Sequence, residues 1–399
     1  IHERLVGSEM CIRDRDRLHN ESGCQLLEVN SIYQLLAIAL QTPDEFEKAK
    51  HLLFMPDLVL YALTGVIGTE YTIASTSGLY DVPKDRWAQE LAKDLGIPIE
   101  IFGKVENPGT IRGELKKEIQ DKTGIGPIKC IATASHDTAS AVFATPLVSP
   151  GSAYISSGTW SLMGVELPKP VVNEITMNQR LTNEGGYNRS IRLLRNIMGL
   201  WLIQEVRKNL KENGEDYTYA QLVELAAKEV NPFATLIYVD ASIFIHAGGM
   251  IERIQRFAKN TNQPIPTTAG QLAQTVFASL ALQYAKTCET LSACSNLLMP
   301  AIHIVGGGSQ NAHLCQLTAD ISGRQVIAGP VEATAMGNAM VQAIALGMQP
   351  HLTDTISARA LIESSNLGLK KYDPSKEIDP NTIAQVRTRY EKLTMEDMR

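Results

Sequence analysis

No run in this sequence of 399 residues is apolar for the roughly 18 residues that a membrane-crossing helix needs; the longest candidate, Ile197 to Ile203, is far too short. Cysteine is sparse. The six thiols (Cys11, Cys24, Cys130, Cys288, Cys294, Cys315) form no CxxC pair and follow no regular spacing, so neither a zinc site nor a disulfide framework is indicated, and reduced thiols are expected. The eight histidines are scattered without an HExxH motif or a His/Cys cluster, which speaks against a transition metal held by the protein. Basic residues are not in excess: 37 Lys and Arg against 43 Asp and Glu leave a net charge of −6, and no nucleic-acid or anionic-membrane partner is indicated. A cytoplasmic location is expected.

What is present suits an ordinary soluble fold. Hydrophobic residues make up 44% and charged residues 20%, and the length is enough for two domains with a sizeable core. Ile1 to Asp16 lack a sustained apolar period, resemble translated adapter sequence more than a signal peptide, and are set aside as a non-native leader. From Asn30 onward helical patterns alternate with short strand-like runs, the mark of an α/β protein. Ser31 to Leu40 has helical spacing, and Thr42-Pro43-Asp44-Glu45 reads as a cap opening a further helix. Lys84 to Leu95 reads as a helix stopped by Gly96 and Pro98. Ile128 to Ala134 suits a buried strand, and Pro146 to Gly151 marks a domain boundary. Ser152 to Leu167 reads as a hairpin around Ser157-Gly158. Thr268 and Gln271 form a capping box before a helix reaching about Ser295. Ala301 to Val305 is an apolar strand running into Gly306-Gly307-Gly308, after which Ser309 is expected to cap a helix that Gly323 ends.

Chemistry concentrates in a few words. Ser135-His136-Asp137-Thr138-Ala139-Ser140-Ala141-Val142 puts a carboxylate at a strand's C-terminal end, where open α/β sheets bind ligands. Asp137 is either a general base for a hydroxyl attacking a phosphate or the N-cap of the following helix. Three consecutive residues cannot converge as a Ser-His-Asp relay, and there is no GxSxG elbow, which speaks against a serine hydrolase. Ser156-Ser157-Gly158-Thr159 is either an anion-holding turn or a plain polar hairpin. Gly306 to Gly308 fits neither GxGxxG nor GxxxxGK[ST]; it either lets a base or phosphate approach the backbone or is a simple turn. Asn196 and Gln204 flank a run that is apolar on every side, which predicts a buried helix whose terminal amides find structural or ligand partners.

Taken together with Asn30, Tyr33-Gln34-Leu35, Met55-Pro56-Asp57, Leu63-Thr64-Gly65, Glu70, Thr72, Ala74-Ser75-Thr76, the Gly306 to Asn311 run and Glu332 to Asn338, these words resemble the FGGY carbohydrate kinases, of the sugar-kinase, heat-shock chaperone and actin superfamily. The resemblance runs from about Glu21 through Gly347. It implies an α/β fold of two actin-like (ribonuclease H-like) domains, the first truncated, closing on a cleft. Residues 17–147 would belong to the first, sugar-binding domain and 148–365 to the second, nucleotide-binding one, with 1–16 as leader and 366–399 as a C-terminal tail. It implies ATP and Mg²⁺ as cofactors and a small sugar as partner substrate. Residue by residue, Asp137 would be the proton acceptor, and His136, Asp137, Thr138 and Asn196 would contact the sugar. Thr159 would meet the ATP phosphates, Gln204 the nucleotide and Gly307 the adenosine; no metal ligand is assigned. The words SHDTASAV, SSGTWSLMGVE and RNIMGLWLIQE are similar to those of the family's deoxyketose kinases, implying L-rhamnulose as acceptor, with L-fuculose or another deoxyketose as the alternative. An inactive sugar- or nucleotide-binding fragment is the non-enzymatic alternative. Two features depart from the pattern: the family's opening Asp-x-Gly phosphate hairpin has no counterpart in the sequence, and Gly249 stands where Asp usually precedes Met250.

Overall fold

The computed structural model describes residues 10–27, 29–147, 151–365, 368–375 and 377–397. Most of the expected leader (1–9) and the middle of the expected boundary (148–150) lie outside the described residues. Residues 10–22, partly within that leader, form the helix Met10–Ser22. The chain divides into two units interleaved along the sequence: one within Ile1–Pro146, Val165–Arg195 and Ala333–Ser365, the other within Leu147–Gly164, Asn196–Glu332 and Asn366–Arg399. No helix among the described residues is long and apolar enough to cross a membrane.

In the first unit the helix Ser31–Gln41 buries Ile32 and Leu35 against Leu79, Ala88, Leu91, Ala92 and Ile97, as its apolar spacing requires. Thr42 does not cap the next helix. Its backbone is recruited as the C-cap of Ser31–Gln41, its N–H donating to the Ile38 carbonyl, and Asp44–Lys48 is only a short helix with no side-chain cap. The helix expected over Lys84 to Leu95 is replaced at its start by a hairpin, Tyr80–Asp81 with Arg86–Trp87, leaving only Gln89–Asp94 helical. The cause is local turn chemistry plus an aromatic cluster. Asp81 accepts from the Lys84 N–H at 3.0 Å, Asp85 adopts φ +52°, and the Trp87 ring packs 5.3 Å from Tyr80 and 4.7 Å from Phe102.

The strand Lys129–Ala132 pairs antiparallel with Thr110–Glu114 and is buried only in its second half, at Ile131 and Ala132. It leads into the helix Asp137–Phe143, buried from Thr138 onward. That helix lies against Ala333–Ala345 so closely that a Cβ on Gly337 would fall 1.9 Å from the Ser140 carbonyl oxygen. Asn338, one residue on, donates to Thr133 Oγ1 at 3.1 Å. The late word Glu332 to Asn338 therefore buttresses the strand end that carries Asp137.

The second unit is built around Ala301–Val305, which pairs in parallel with Ala153–Ser157 on one side and Gln325–Ala328 on the other. Lys370–Tyr372 and Trp160–Leu167 add antiparallel strands outside these. The hairpin read from Ser152 to Leu167 is present, with Ser157 opposite Ser161. The 27-residue helix Ala269–Ser295 is buried along most of its length, and its capping box forms as read: Thr268 accepts from the Gln271 N–H, and Gln271 returns to the Thr268 N–H.

Candidate active site

Asp137 is the first residue of its helix, and His136, which makes no side-chain cap bond, occupies the N-cap. One carboxylate oxygen, Oδ1, accepts from the Thr138 N–H at 2.6 Å and from its hydroxyl at 3.3 Å. The other oxygen, Oδ2, makes no hydrogen bond to a described residue, and Asp137 is exposed although Thr138 behind it is buried. The N-cap reading of Asp137 is thereby corrected, because the cap position falls on His136; Asp137 Oδ1 instead serves the neighbouring amide in the first helical turn, and Oδ2 is engaged by no described residue.

The loop before Asp137 is held from a distance. Glu70, fully buried, accepts five hydrogen bonds: from the N–H and hydroxyl of Thr72 (2.8 and 2.6 Å), the Ile73 N–H (3.2 Å), and the N–H and hydroxyl of Ser135 (3.1 and 2.5 Å). Thr72 Oγ1 in turn accepts from the His136 N–H at 3.0 Å. Burial pushes the Glu70 carboxyl upward, opposed by these donors. Its own N–H donates to Asp57, a buried carboxylate paired with the equally buried Arg112 at 2.6 Å. His136 sits beside two further buried charges, with Nδ1 3.3 Å from Arg192 Nη2 and 3.9 Å from Glu184 Oε2. Burial, with Arg192 adding to it, holds this imidazole below the ordinary histidine range.

In the second unit Thr159 is exposed at the tip of the hairpin, its hydroxyl 3.5 Å from the Gln204 amide oxygen. The carbonyls of Gly158 and Thr159 accept from the N–H groups of Leu200 and Trp201 at 3.0 Å each, fastening the tip to the start of the helix Trp201–Glu212. This corrects the all-round apolar helix expected between Asn196 and Gln204. Asn196 lies on the strand Ile191–Met198, and the chain turns at Gly199, where a Cβ would fall 2.6 Å from Ser161 Oγ. Gln204 belongs to the helix beyond. The triple glycine lies against the same hairpin: a Cβ on Gly306, at φ +80°, would sit 2.8 Å from the Ser157 carbonyl oxygen, and one on Gly308 would sit 2.0 Å from Ser157 Oγ. Gly307 is different. It is exposed, and a Cβ there would meet nothing within 4 Å, so its backbone faces open space. Asn311, not Ser309, caps the following helix by accepting from the Leu314 N–H at 3.0 Å, because Ser309 turns its hydroxyl back to the Gly306 carbonyl.

His136, Asp137 and Thr138 are thus together in the first unit, and Thr159 and Gln204 together in the second, with Gly307 in the glycine turn packed on the same hairpin. Sequence reading missed Arg192 and Glu184 altogether and saw Glu70 and Thr72 only as parts of a pattern. No local spacing signals these contacts.

Residues 10–144 match the N-terminal domain of the FGGY family of carbohydrate kinases, and residues 153–346 match its C-terminal domain. The chain belongs to the FGGY family of carbohydrate kinases. Among curated relatives, a rhamnulokinase of Bacteroides thetaiotaomicron is 42% identical over 360 residues, covering 90% of this chain and 72% of that protein. A rhamnulokinase of Bacillus subtilis is 38% identical, covering 92% of this chain and 73% of the relative. The fold is that of solved FGGY-type kinases. A ligand-bound xylulose kinase from Lactobacillus acidophilus superposes with TM-score 0.75 at 16% identity, over 99% of this chain and 77% of the other. A Plasmodium falciparum glycerol kinase with ADP gives 0.76 at 15% identity, over 100% and 77%.

As an FGGY kinase the chain needs a place for ATP, and the glycine turn fits one: Gly307 offers unobstructed backbone for a flat base or phosphate to approach. Among the described residues no group of three or more His, Cys, Asp or Glu could hold a metal ion.

Proposed function

We propose that the protein transfers the γ-phosphoryl group of ATP to the 1-hydroxyl of L-rhamnulose, giving L-rhamnulose 1-phosphate and ADP, as the names of its curated relatives suggest. The observation that carries the chemistry is Asp137, exposed, with Oδ2 unengaged and with its preceding loop tied to Glu70. Asp137 Oδ2 takes the hydroxyl proton as the sugar oxygen attacks the γ-phosphorus. The new P–O bond forms as the bond to the ADP oxygen breaks, and the carboxyl later returns its proton to solvent. His136, Thr138 and Asn196 contact the sugar in this reading, while Thr159, Gln204 and Gly307 serve the nucleotide. Magnesium bound with ATP supplies charge neutralisation at the phosphates. The demand for ATP and the free thiols at Cys24, Cys130, Cys288, Cys294 and Cys315 favour a cytoplasmic location.

The test compares kcat/KM for L-rhamnulose, L-fuculose and D-xylulose by sugar-dependent ADP release, since specificity is the ratio of those constants. Preference for L-rhamnulose is expected. Equal or reversed preference moves the assignment to another ketose, and ADP release indifferent to any sugar removes the kinase reading.

A further inference from the structure

Arginine offers N–H donors and no acceptor, so an imidazole nitrogen that it hydrogen-bonds must be the unprotonated one. Arg192 is wholly buried on the strand Ile191–Met198, directly opposite Glu184 on the antiparallel strand Thr182–Gly185. Its Nε donates to the Gly185 carbonyl at 3.0 Å, and its Nη2 lies 3.1 Å from Glu184 Oε2. The guanidinium is therefore fixed at two points on the neighbouring strand. From there the same Nη2 reaches His136 Nδ1 at 3.3 Å. The remaining ring nitrogen of His136, Nε2, makes no hydrogen bond to a described residue, and 19% of the side chain is open to solvent.

We propose that Arg192, anchored by Glu184, is a positioning residue for phosphoryl transfer: it holds His136 as the neutral tautomer with its proton on Nε2, so that the imidazole offers the bound ketose a hydrogen-bond donor beside Asp137. This rests on the sugar-binding reading of His136 and Asp137. Protonation of His136 would turn an Nδ1–H toward the guanidinium N–H groups, and burial opposes the charged ring as well. The charged groups facing the ring are Arg192, Glu184 and Asp137; the two carboxylates favour protonation, and Arg192 together with burial outweighs them. A ketose bound here accepts from Nε2–H through a carbonyl or hydroxyl oxygen, and the donor survives mild acidity.

The decisive measurement is ¹⁵N NMR of histidine-labelled protein, which reports which ring nitrogen carries the proton, together with kcat and KM for L-rhamnulose across pH. Wild type is expected to show Nε2–H. In Arg192→Met the Nδ1–H form appears and His136 titrates at higher pH, because Glu184 then faces it unopposed. The acid limb of kcat/KM moves up accordingly. KM for the sugar rises about 10-fold while kcat changes less, the size of one lost hydrogen bond. Should Arg192→Met fail to fold with Glu184 left unpaired, the double variant Arg192→Met/Glu184→Met removes both charges and is expected to show the mixed tautomer and the raised KM. A folded variant that keeps Nε2–H alone and an unchanged KM overturns the proposal. So does a wild type that phosphorylates the sugar while carrying Nδ1–H. A wild type that shows Nε2–H but phosphorylates no ketose sinks the functional reading instead, leaving the Arg192–His136 lock in place.

Discussion

Glu70 accepts both the backbone N–H and the hydroxyl of Ser135, at 3.1 and 2.5 Å, across 65 residues of sequence. Because Ser135 stands two residues before Asp137, this carboxylate fixes the chain on which the proposed base is mounted. The same carboxylate caps the start of the short helix Tyr71–Ala74 by accepting from the Thr72 and Ile73 N–H groups. One buried side chain thus joins two segments whose backbone amides would otherwise lack partners.

Replacing Glu70 with Gln tests that anchor. The amide keeps the volume, but it offers one acceptor oxygen where the carboxylate offered two, and its NH₂ faces donors. Five hydrogen bonds cannot all survive. Stability is expected to fall by about 1–3 kcal/mol in urea denaturation, and kcat by about 10- to 100-fold, the scale of a misplaced catalytic group. If both values match wild type, the loop is held by something other than Glu70.

The glycines make a paired prediction. Gly337→Ala gains helix propensity of about 1 kcal/mol, yet its Cβ would fall 1.9 Å from the Ser140 carbonyl oxygen, a backbone atom that can yield only if the two helices move apart. The clash is expected to win, with a net loss of about 1–3 kcal/mol and a lower kcat, since the helix displaced is the one that Asp137 begins. Gly307→Ala meets nothing within 4 Å, so its melting temperature should stay at the wild-type value while KM for ATP rises. Thermal melts and ATP titrations on both variants decide this; a destabilised Gly307→Ala or a neutral Gly337→Ala contradicts it.

Local signals in the sequence read well where both halves of the device are close together. The Thr268/Gln271 capping box, the Gly323 helix stop at φ +67° and the Ser152 to Leu167 hairpin each depend on residues a few positions apart, and all three are present. Readings failed where a distant partner outbid the local preference. Trp87 was drawn into a hairpin by Tyr80 and Phe102 instead of continuing a helix, and Gly199 broke the apolar run Ile197 to Ile203 because it lies on Ser161. The same division holds at the candidate site. The word from Ser135 to Val142 announces a carboxylate at a strand end, but Arg192 lies 56 residues from His136 and Glu70 lies 65 from Ser135, and no periodicity links them.

Asp137→Asn separates the proposed base from the hydrogen bond that Asp137 accepts at the helix start. Asn keeps the shape and an acceptor oxygen, so the bond from the Thr138 N–H, now 2.6 Å from Oδ1, is retained and the helix Asp137–Phe143 starts as before. At the Oδ2 position an NH₂ group replaces the oxygen that makes no hydrogen bond to a described residue, and an amide nitrogen cannot take the hydroxyl proton. Loss of a positioned general base costs about 10²–10⁴ in rate. The expected result is therefore a kcat lowered by that factor, with the melting temperature and the sugar dissociation constant, measured by calorimetry, close to wild type. A residue whose only work was to accept the Thr138 N–H would leave kcat unchanged in this variant, because the Asn amide oxygen accepts that bond as the carboxylate does. A variant that melts normally and turns over at the wild-type rate would place the base elsewhere and leave Asp137 as a structural carboxylate.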